Sequence, residues 1–340
     1  MSKKELLAEA LFRSGLLHPI AGLLPKGLII LCYHRVCPDN AQSAAYLFDE
    51  GVLGPSESEF ERQVKWLKGN FDILSESEIL ELISNPSLSN RGVAITFDDG
   101  YRDNYELAYP ILRAHAAPAI FFLCPGLIDG TTLAWWDLIA YFVKQSAKPA
   151  ITLGGETFQL AERKPETIVA LHDRMKLRPD AETASLLGEL SQACQVRFPE
   201  EELRRREFMT WEHAREVSCH GVAIGSHTHT HRVLARLDEP AQRWELQESK
   251  LALEKQLGQA VQTIAYPVGR YGNFTPATMR LAGECGYKGA FSFRTGGNSP
   301  AAMNPYDIRR IAAGDRLDAT FACSAYMPKL FTWVPDAPRQ

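Results

Sequence analysis

The sequence of 340 residues lacks the features that mark several protein classes. Its seven cysteines are scattered, odd in number and never spaced as Cys-x-x-Cys, which argues against a disulfide framework and a thiolate zinc site. Lysine and arginine total 37 against 41 aspartates and glutamates, so the net charge of −4 gives none of the positive field that nucleic acid binding requires. These absences predict a protein of a reducing compartment that binds no nucleic acid.

The chain also lacks a long apolar run. A strongly apolar stretch, residues 116–128, has 13 residues, well short of the ~18 residues that suggest a transmembrane segment. Residues 1–26 space their leucines as a helix does, and Glu5, Glu9 and Arg13 interrupt any signal-peptide core. We therefore predict no transmembrane segment, a cytoplasmic location and an N-terminal amphipathic helix suited to peripheral membrane contact.

Six short apolar, β-branched or aromatic runs are present, and each predicts a buried parallel strand. They cover residues 27–34, 92–98, 117–124, 221–227, 262–267 and 287–293. Most are separated by amphipathic segments long enough for a crossover helix. The alternation predicts an α/β fold, with a distorted (β/α) barrel favoured over an open doubly wound sheet.

Residues 129–209 interrupt this alternation and predict an insertion. They contain an aromatic cluster at 133–142, a predicted hairpin at 150–160 and then charged helical stretches. We expect a barrel over residues 27–311 that carries this insertion, with the helix of residues 1–26 before it. An irregular tail, residues 312–340, is expected to follow.

Two adjacent carboxylates, Asp98 and Asp99, stand at the end of a predicted strand, directly before Gly100. Because neighbouring like charges disfavour each other's ionisation and a cation relieves this, the pair is typical of a metal site. An alternative remains open, since either aspartate can cap a helix that begins near Tyr101.

Three histidines, His227, His229 and His231, follow the predicted strand at 221–227. A continued strand would put all three on one face, whereas a helix after His227 would align only His227 and His231. The helical spacing of the following segment favours the helix. His227 and His231 then suit Zn²⁺ or a related divalent ion, and an accidental surface cluster is the alternative.

One carboxylate and two histidines together make a catalytic metal site with an open position for water. The second carboxylate is then free to act as a base. Both clusters lie at the carboxyl ends of predicted strands, the face at which barrel enzymes keep their active sites. The combination predicts a metal-dependent hydrolase of an amide or ester.

These motifs resemble the polysaccharide deacetylases with a NodB-homology domain, which are metal-dependent carbohydrate esterases. The resemblance rests on TFDDG at 96–100 and SHTHTH at 226–231, and extends to segments 209–227, 265–272 and 286–293. It implies a distorted (β/α)7-type barrel that binds Zn²⁺, or Co²⁺, Mn²⁺ or Ni²⁺. It also implies removal of N-acetyl groups from an amino sugar of a polysaccharide or glycan precursor.

The resemblance also implies a role for each matched residue. Asp99, His227 and His231 would hold the metal, and Asp98 would be the general base toward a metal-bound water. A backbone N–H in segment 266–269 would stabilise the oxyanion. The implied substrate and oxyanion region comprises Tyr266, Pro267, Gly269 and Arg270.

The general acid departs from the family pattern, because the sequence has no histidine after His231 for the late motif of most members. His34, directly after the first predicted strand, is our candidate. It resembles the early Tyr-His of the subgroup related to deacetylases of biofilm poly-N-acetylglucosamine, in which the motif order is permuted. The alternative for His34 is a buried histidine hydrogen-bonded to backbone.

Two further pairs of residues have open alternatives. Arg270 or Arg310 would orient the base, or else form an ordinary ion pair. Trp135 and Trp136 would stack on sugar rings, or else belong to the core.

Other functions fit the sequence less well. An amidohydrolase-like barrel would use the H-x-H of residues 227–229, but that pair normally stands near the first strand. Aspartyl-phosphate phosphatases need carboxylates two residues apart, whereas Asp98 and Asp99 are adjacent. A catalytically inactive glycan-binding barrel would not need the complete set of acids and histidines.

Overall fold

The computed structural model describes residues 3–22, 27–40, 46–85, 92–178, 182–198 and 207–328. Its strands are β1 (Leu28–Tyr33), β2 (Asp72–Ile73), β3 (Gly92–Phe97), β4 (Ala119–Leu123), β5 (Ala150–Leu153), β6 (Glu156–Gln159), β7 (Val222–Ser226), β8 (Thr263–Ala265), β9 (Gly289–Phe291) and β10 (Ile311–Ala312). Seven of them form a parallel sheet in the order β10-β1-β3-β4-β7-β8-β9, and β2 pairs with the start of β3. All six predicted strand segments contain an observed strand.

Helices cover the outside of this sheet and build the insertion. They are α1 (Lys3–Arg13), α2 (Leu17–Gly22), α3 (Glu57–Asn70), α4 (Glu76–Ser84), α5 (Tyr109–Ala114), α6 (Pro125–Ile128), α7 (Trp135–Gln145), α8 (Lys164–Leu177), α9 (Thr183–Cys194), α10 (Trp211–Ser218), α11 (Glu239–Leu257), α12 (Pro276–Glu284) and α13 (Ala319–Tyr326). A π-helix at Asn104–Ala108 runs directly into α5. Among the described residues, no helix combines the length and apolar character needed to cross a membrane.

The segment that contains β10 closes the sheet on itself. On one side Ile308 pairs with Phe291 of β9, and on the other Ile311 pairs with Leu31 of β1. The Ser292 N–H donates to the Ile308 carbonyl at 2.8 Å. The result is the distorted barrel of seven parallel strands that the sequence predicts, so the predicted fold class is confirmed.

Strand alternation separates two apolar clusters. Leu28 and Ile30 of β1 join Ile120 and Phe122 of β4 in a small cluster on one face of the sheet. The intervening residues, such as Leu31, join the main core with the covering helices. Cys32 continues the Leu28 and Ile30 series, so it stands on the inner face at the carboxyl end of the strand.

The insertion forms α7, the β5–β6 hairpin, α8 and α9, which share a hydrophobic core. The hairpin predicted at 150–160 is observed as an antiparallel pair in which Ile151 lies opposite Phe158. Part of the predicted charged helical stretch, residues 179–181 and 199–206, lies outside the described residues. The insertion boundaries at 129 and 209 stay predictions.

The irregular tail expected from residue 312 is wrong for its first part, because residues 319–326 form α13. The Asp318 carboxylate caps this helix by accepting the Phe321 N–H at 2.8 Å. Phe321 and Tyr326 pack against Trp66 of α3, and α13 contacts α1. The helix depends on partners distant in sequence, which its short apolar run does not reveal. Residues 329–340 lie outside the described part.

In the part that the structure describes, residues 3–22, the N-terminal segment contains two helices where the sequence predicts one. Gly15, with φ 70°, separates α1 from α2. Ala8 of α1 is buried, whereas Leu6, Leu7 and Leu16 are exposed. Helix α1 therefore carries the apolar residues Leu6 and Leu7 on its exposed face.

Candidate active site

The two carboxylates reach one cavity through a change of backbone conformation after β3. Asp98 continues the ladder, since its N–H donates to the Tyr33 carbonyl at 3.0 Å. Asp99 and Gly100 then adopt the left-handed region, with φ 72° and 79°. Aspartate tolerates this region better than most residues. The turn brings both carboxylates to the carboxyl end of the barrel.

The histidine segment is a loop, and the helix expected directly after His227 is wrong. Thr228 and His231 have φ of 63° and 59°, and α11 begins only at Glu239. The fully buried Glu245 of α11 holds the loop, because its carboxylate accepts the N–H groups of His229 and Thr230 at 2.8 Å each. These bonds replace the helical ones that the spacing suggested.

His227, His231 and Asp99 meet despite this correction. The Asp99 Oδ1 atom lies 3.4 Å from His227 Nε2 and 3.2 Å from His231 Nε2. His227 Nδ1 lies 2.8 Å from the Ala265 carbonyl, which orients its Nε2 toward Asp99. The ring of His229 instead packs edge-on to Trp244, with centroids 5.0 Å apart.

These three groups fit a divalent cation. All are buried, and Asp99 Oδ1 accepts no hydrogen bond from the part of the chain that the structure describes. A buried carboxylate oxygen without a donor is costly unless a cation compensates it. One carboxylate and two imidazoles are a donor set that zinc uses in catalytic sites.

Burial and neighbouring charges set the protonation of the cluster. Burial opposes ionisation of Asp99, but His227 and His231 outweigh it and hold the pKa of Asp99 well below its ordinary value. Burial lowers the pKa of His231. For His227, burial is outweighed by Asp98 and Asp99, which raise its pKa. His231 therefore favours the neutral form that binds metals.

Arg310 holds the second carboxylate. Its Nη1 and Nη2 atoms donate to the two oxygens of Asp98 at 2.6 and 2.8 Å, and both side chains are buried. Burial would raise the pKa of Asp98, but Arg310 outweighs it and lowers this pKa to about 2. Asp98 is therefore ionised and engaged with Arg310, which argues against its use as a helix cap. Arg270 instead lies 5.4 Å from the centroid of the Phe293 ring.

His34 lies close to Asp98. It is half-buried, it lines the same cleft as Asp98, and its carbonyl accepts a hydrogen bond from Asn104 at 2.7 Å. Donor atoms of Cys32, His34 and Asp98 all lie within 4.8 Å of one another. The Cys32 thiol is 3.5 Å from Asp98 Oδ2.

Comparison with known families settles the relationship of the chain. The family model described as polysaccharide deacetylase matches residues 85–290, more than half of the sequence. The chain belongs to the polysaccharide deacetylase family.

The chain is similar to several proteins that carry the name of a deacetylase. A Bacillus subtilis (strain 168) protein, YxkH, whose name assigns it to the polysaccharide deacetylases, is 24% identical over 308 residues, 90% of this chain and 78% of that protein. A Staphylococcus aureus (strain N315) poly-β-1,6-N-acetyl-D-glucosamine N-deacetylase is 33% identical over 118 residues, 33% of this chain and 41% of the relative. Streptococcus pyogenes deacetylase PplD, solved with acetate, has the same fold (TM-score 0.58, 21% identity, 90% of this chain and 100% of that chain).

A cleft of about 510 Å³ lies over the candidate active site of the protein. The insertion and the loop of residues 46–54 form its rim together: the Asp49 N–H donates to Asp137 at 3.1 Å, and Lys144 Nζ donates to the Phe48 carbonyl at 2.7 Å. Tyr266 and Arg270 also line the cleft. The insertion therefore shapes the entrance to the site.

The turn at 266–269 has one amide available. Tyr266 N–H donates to the Phe291 carbonyl at 2.9 Å, Gly269 N–H donates to the Pro267 carbonyl at 2.6 Å, and proline has no N–H. Val268 lines the cleft and has φ 60°. Pro267 and Gly269 therefore shape the turn, and the Val268 N–H is the candidate donor toward the cleft.

The two tryptophans of α7 have different surroundings. Trp136 is only 5% exposed, and its ring packs 4.2 Å from that of His231 while its Nε1 donates to the Tyr101 hydroxyl at 2.7 Å. The two rings are inclined at 52°, and Trp136 belongs to a buried apolar cluster with Tyr101 and Phe208, so we revise the sugar-stacking interpretation for Trp136. Trp135 is half-buried and lines the cleft, so the sugar-stacking interpretation stays a prediction for this residue.

Proposed function

We propose that the chain is a metal-dependent hydrolase that removes N-acetyl groups from an amino sugar of a polysaccharide or glycan precursor. The observation that carries the proposal is the buried Asp99 oxygen between two imidazole nitrogens, beside a second carboxylate held by Arg310. Membership of the polysaccharide deacetylase family supports the reaction class. The relative from Staphylococcus aureus supports N-acetylglucosamine polymers as the first substrates to test.

Asp99, His227 and His231 would hold the divalent cation. Zn²⁺ suits these ligands, and Co²⁺, Mn²⁺ or Ni²⁺ would bind the same donors with different affinity. When bound, the cation supplies Lewis-acid chemistry, which polarises the acetyl carbonyl and makes water more acidic.

Asp98 would act as general base. With a pKa of about 2 its carboxylate is ionised at neutral pH and accepts a proton from the attacking water. Arg310 fixes the plane of this carboxylate through two hydrogen bonds. Arg310 is therefore the proposed positioning residue for the base. Arg270 is assigned only to the lining of the cleft.

His34 and Val268 would act on the other parts of the substrate. His34 would donate the proton that the leaving amine needs, since it borders Asp98 in the cleft. The Val268 N–H would stabilise the negative charge that develops on the carbonyl oxygen, a contribution of about 3 kcal/mol to the barrier in similar sites. Trp135 would contact the sugar ring.

Acetate release from N-acetylglucosamine oligomers tests this proposal. The protein loaded with zinc should release acetate, and Asp98→Asn should lower the rate by about 10² to 10⁴ while keeping the metal. Asp72→Asn is the matched control, because Asp72 is exposed and its change should leave the rate unaltered. No acetate from the loaded protein with any N-acetylated glycan, or full activity of Asp98→Asn, would contradict the proposed function.

A further inference from the structure

Cys32 is a buried thiol at the site that the proposed mechanism does not use. Its thiol lies 3.5 Å from Asp98 Oδ2, at the carboxyl end of β1. Cys32 pairs with Thr96 in the parallel register of β1 and β3. Since side chains two residues apart share a face, the same register brings His34 toward Asp98. The strand pairing therefore collects three metal-binding side chains at one point.

We propose that Cys32, His34 and Asp98 form a second cation site, for a thiophilic divalent ion such as Zn²⁺ or Co²⁺, and that its occupation inhibits the enzyme. Their donor atoms lie within 4.8 Å of one another, and Asp98 and Cys32 are buried while His34 opens to the cleft. Thiolate, imidazole and carboxylate are ligands that zinc accepts together. The site shares no ligand with the group of Asp99, His227 and His231.

The binding step balances without any further reactant. The Cys32 thiol loses its proton to solvent and forms one sulfur–metal bond, because a coordinating thiol is deprotonated. Asp98 has room for the ion, since a carboxylate offers about four acceptor positions and Arg310 uses two. The positive charge of Arg310 weakens the attraction for a cation, so this site fills after the first one.

Inhibition follows from which groups the second ion would bind, and this part of the inference rests on the proposed function. Asp98 and His34 are the proposed base and acid. An ion that holds both leaves neither available to move a proton. Activity should therefore rise as the first site fills and fall as the second one does.

The test titrates the metal-stripped full chain with Co²⁺ and records the thiolate-to-metal charge-transfer absorption together with acetate release. Up to one equivalent we expect activity without the absorption band. Beyond it the band should appear, and activity should fall by about 10² or more. Cys32→Ser should abolish the band and the inhibition, and keep the activity at one equivalent. Cys219→Ser, which removes an exposed thiol, should behave as the unaltered protein.

A Cys32→Ala variant gives the same readouts should the serine variant fold poorly. No band in the unaltered protein, or a band that persists in both Cys32 variants, would overturn the second site. Inhibition that does not depend on Cys32 would overturn its regulatory role. A Cys32-dependent band without acetate release at one equivalent would support the second site and contradict the proposed function, so the two failures are distinguishable.

Discussion

Asp98 and Arg310 form a buried ion pair in which each side chain depends on the other. Removal of one partner from such a pair leaves an unpaired buried charge, which usually costs about 3–5 kcal/mol. Cys32 and His227 border the same carboxylate, at 3.5 and 3.9 Å from its Oδ2 atom. The geometry of the proposed base is therefore set by Arg310 more than by these weaker neighbours.

We predict that Arg310→Met lowers the free energy of unfolding by about 3–5 kcal/mol at pH 7, measured by urea denaturation. The pair stabilises the protein fully above the unfolded pKa of Asp98, about 3.9, and this contribution is lost as pH falls toward the folded pKa of about 2. The difference between variant and unaltered protein should therefore shrink below pH 4.

Arg294→Met is the control for this change, because Arg294 pairs with Asp307 at 2.7 Å with both side chains partly accessible to water. It should cost about 1 kcal/mol or less. Equal losses in the two variants, or a difference for Arg310→Met that does not change with pH, would rule out the buried pair as described.

The acid and ligand roles of two histidines can be separated. His34→Ala should lower turnover by about 10² to 10⁴ and leave one bound metal, because His34 is not among the proposed ligands of the first site. His227→Ala should lose the metal itself. Plasma mass spectrometry measures the metal content of each variant, and acetate release measures its turnover. His115→Ala, which removes a pair with Glu61, is the control. Equal metal loss in His34→Ala and His227→Ala would remove His34 from the acid role.

The sequence reveals site residues whose type is rare at their position, and it misses those whose type is common there. Acids and histidines are rare directly after apolar strands, and for this reason the sequence reveals Asp98, Asp99, His227 and His231. Glu245 gives no such signal, since a glutamate within a helical pattern is commonly exposed. The choice between Arg270 and Arg310 was also beyond the sequence, because it depends on where a segment more than 200 residues from Asp98 closes the barrel.

Among the elements, the loop between β7 and α11 determines where the two histidine ligands point. Gly126 N–H donates to the His229 carbonyl at 2.8 Å, and the Glu245 carboxylate accepts the Thr230 N–H at 2.8 Å. Helical spacing predicted the pair His227 and His231 for the wrong geometric reason. The loop achieves the same convergence through two left-handed residues, which periodicity does not detect.

We predict that Glu245→Ala weakens metal affinity by about 10–100-fold, the usual effect of losing a group that orients ligands. It should also destabilise the protein by roughly 1–3 kcal/mol for each backbone N–H left without an acceptor. Glu245→Gln keeps a carbonyl acceptor and should retain most of the affinity. Calorimetric zinc titration measures this, with the exposed Gln247→Ala as control. Unchanged affinity in Glu245→Ala would show that the loop does not need this residue.

In the whole molecule, the first and last described helices, α1 and α13, contact each other on the outside of the barrel. Cys323 of α13 contacts the Ala8 carbonyl of α1, and Phe321 packs on Trp66. The sequence predicts the barrel because buried strands carry strong local signals. It misses β10 and α13, which are short and are stabilised by contacts with distant segments. The predicted cytoplasmic location and peripheral membrane contact stay predictions.

We predict that Phe321→Ala lowers the free energy of unfolding by about 3–5 kcal/mol, because Phe321 is buried in the main core and its removal leaves a cavity there. Metal content and turnover per folded molecule should not change, since the site lies at the mouth of the barrel. Leu7→Ala on α1 is the control, because Leu7 is exposed and should cost little. Loss of metal from folded Phe321→Ala protein would show that the terminal helices also support the site.

We propose that one cation held by Asp99, His227 and His231 makes acetate release possible. The most direct measurement is acetate release from N-acetylglucosamine oligomers by the metal-stripped protein while zinc is restored in steps. We predict no release without zinc, a proportional rise up to one equivalent, and no recovery for His227→Ala. Release that is the same with and without metal, or that His227→Ala recovers in full, would contradict this role of the cation.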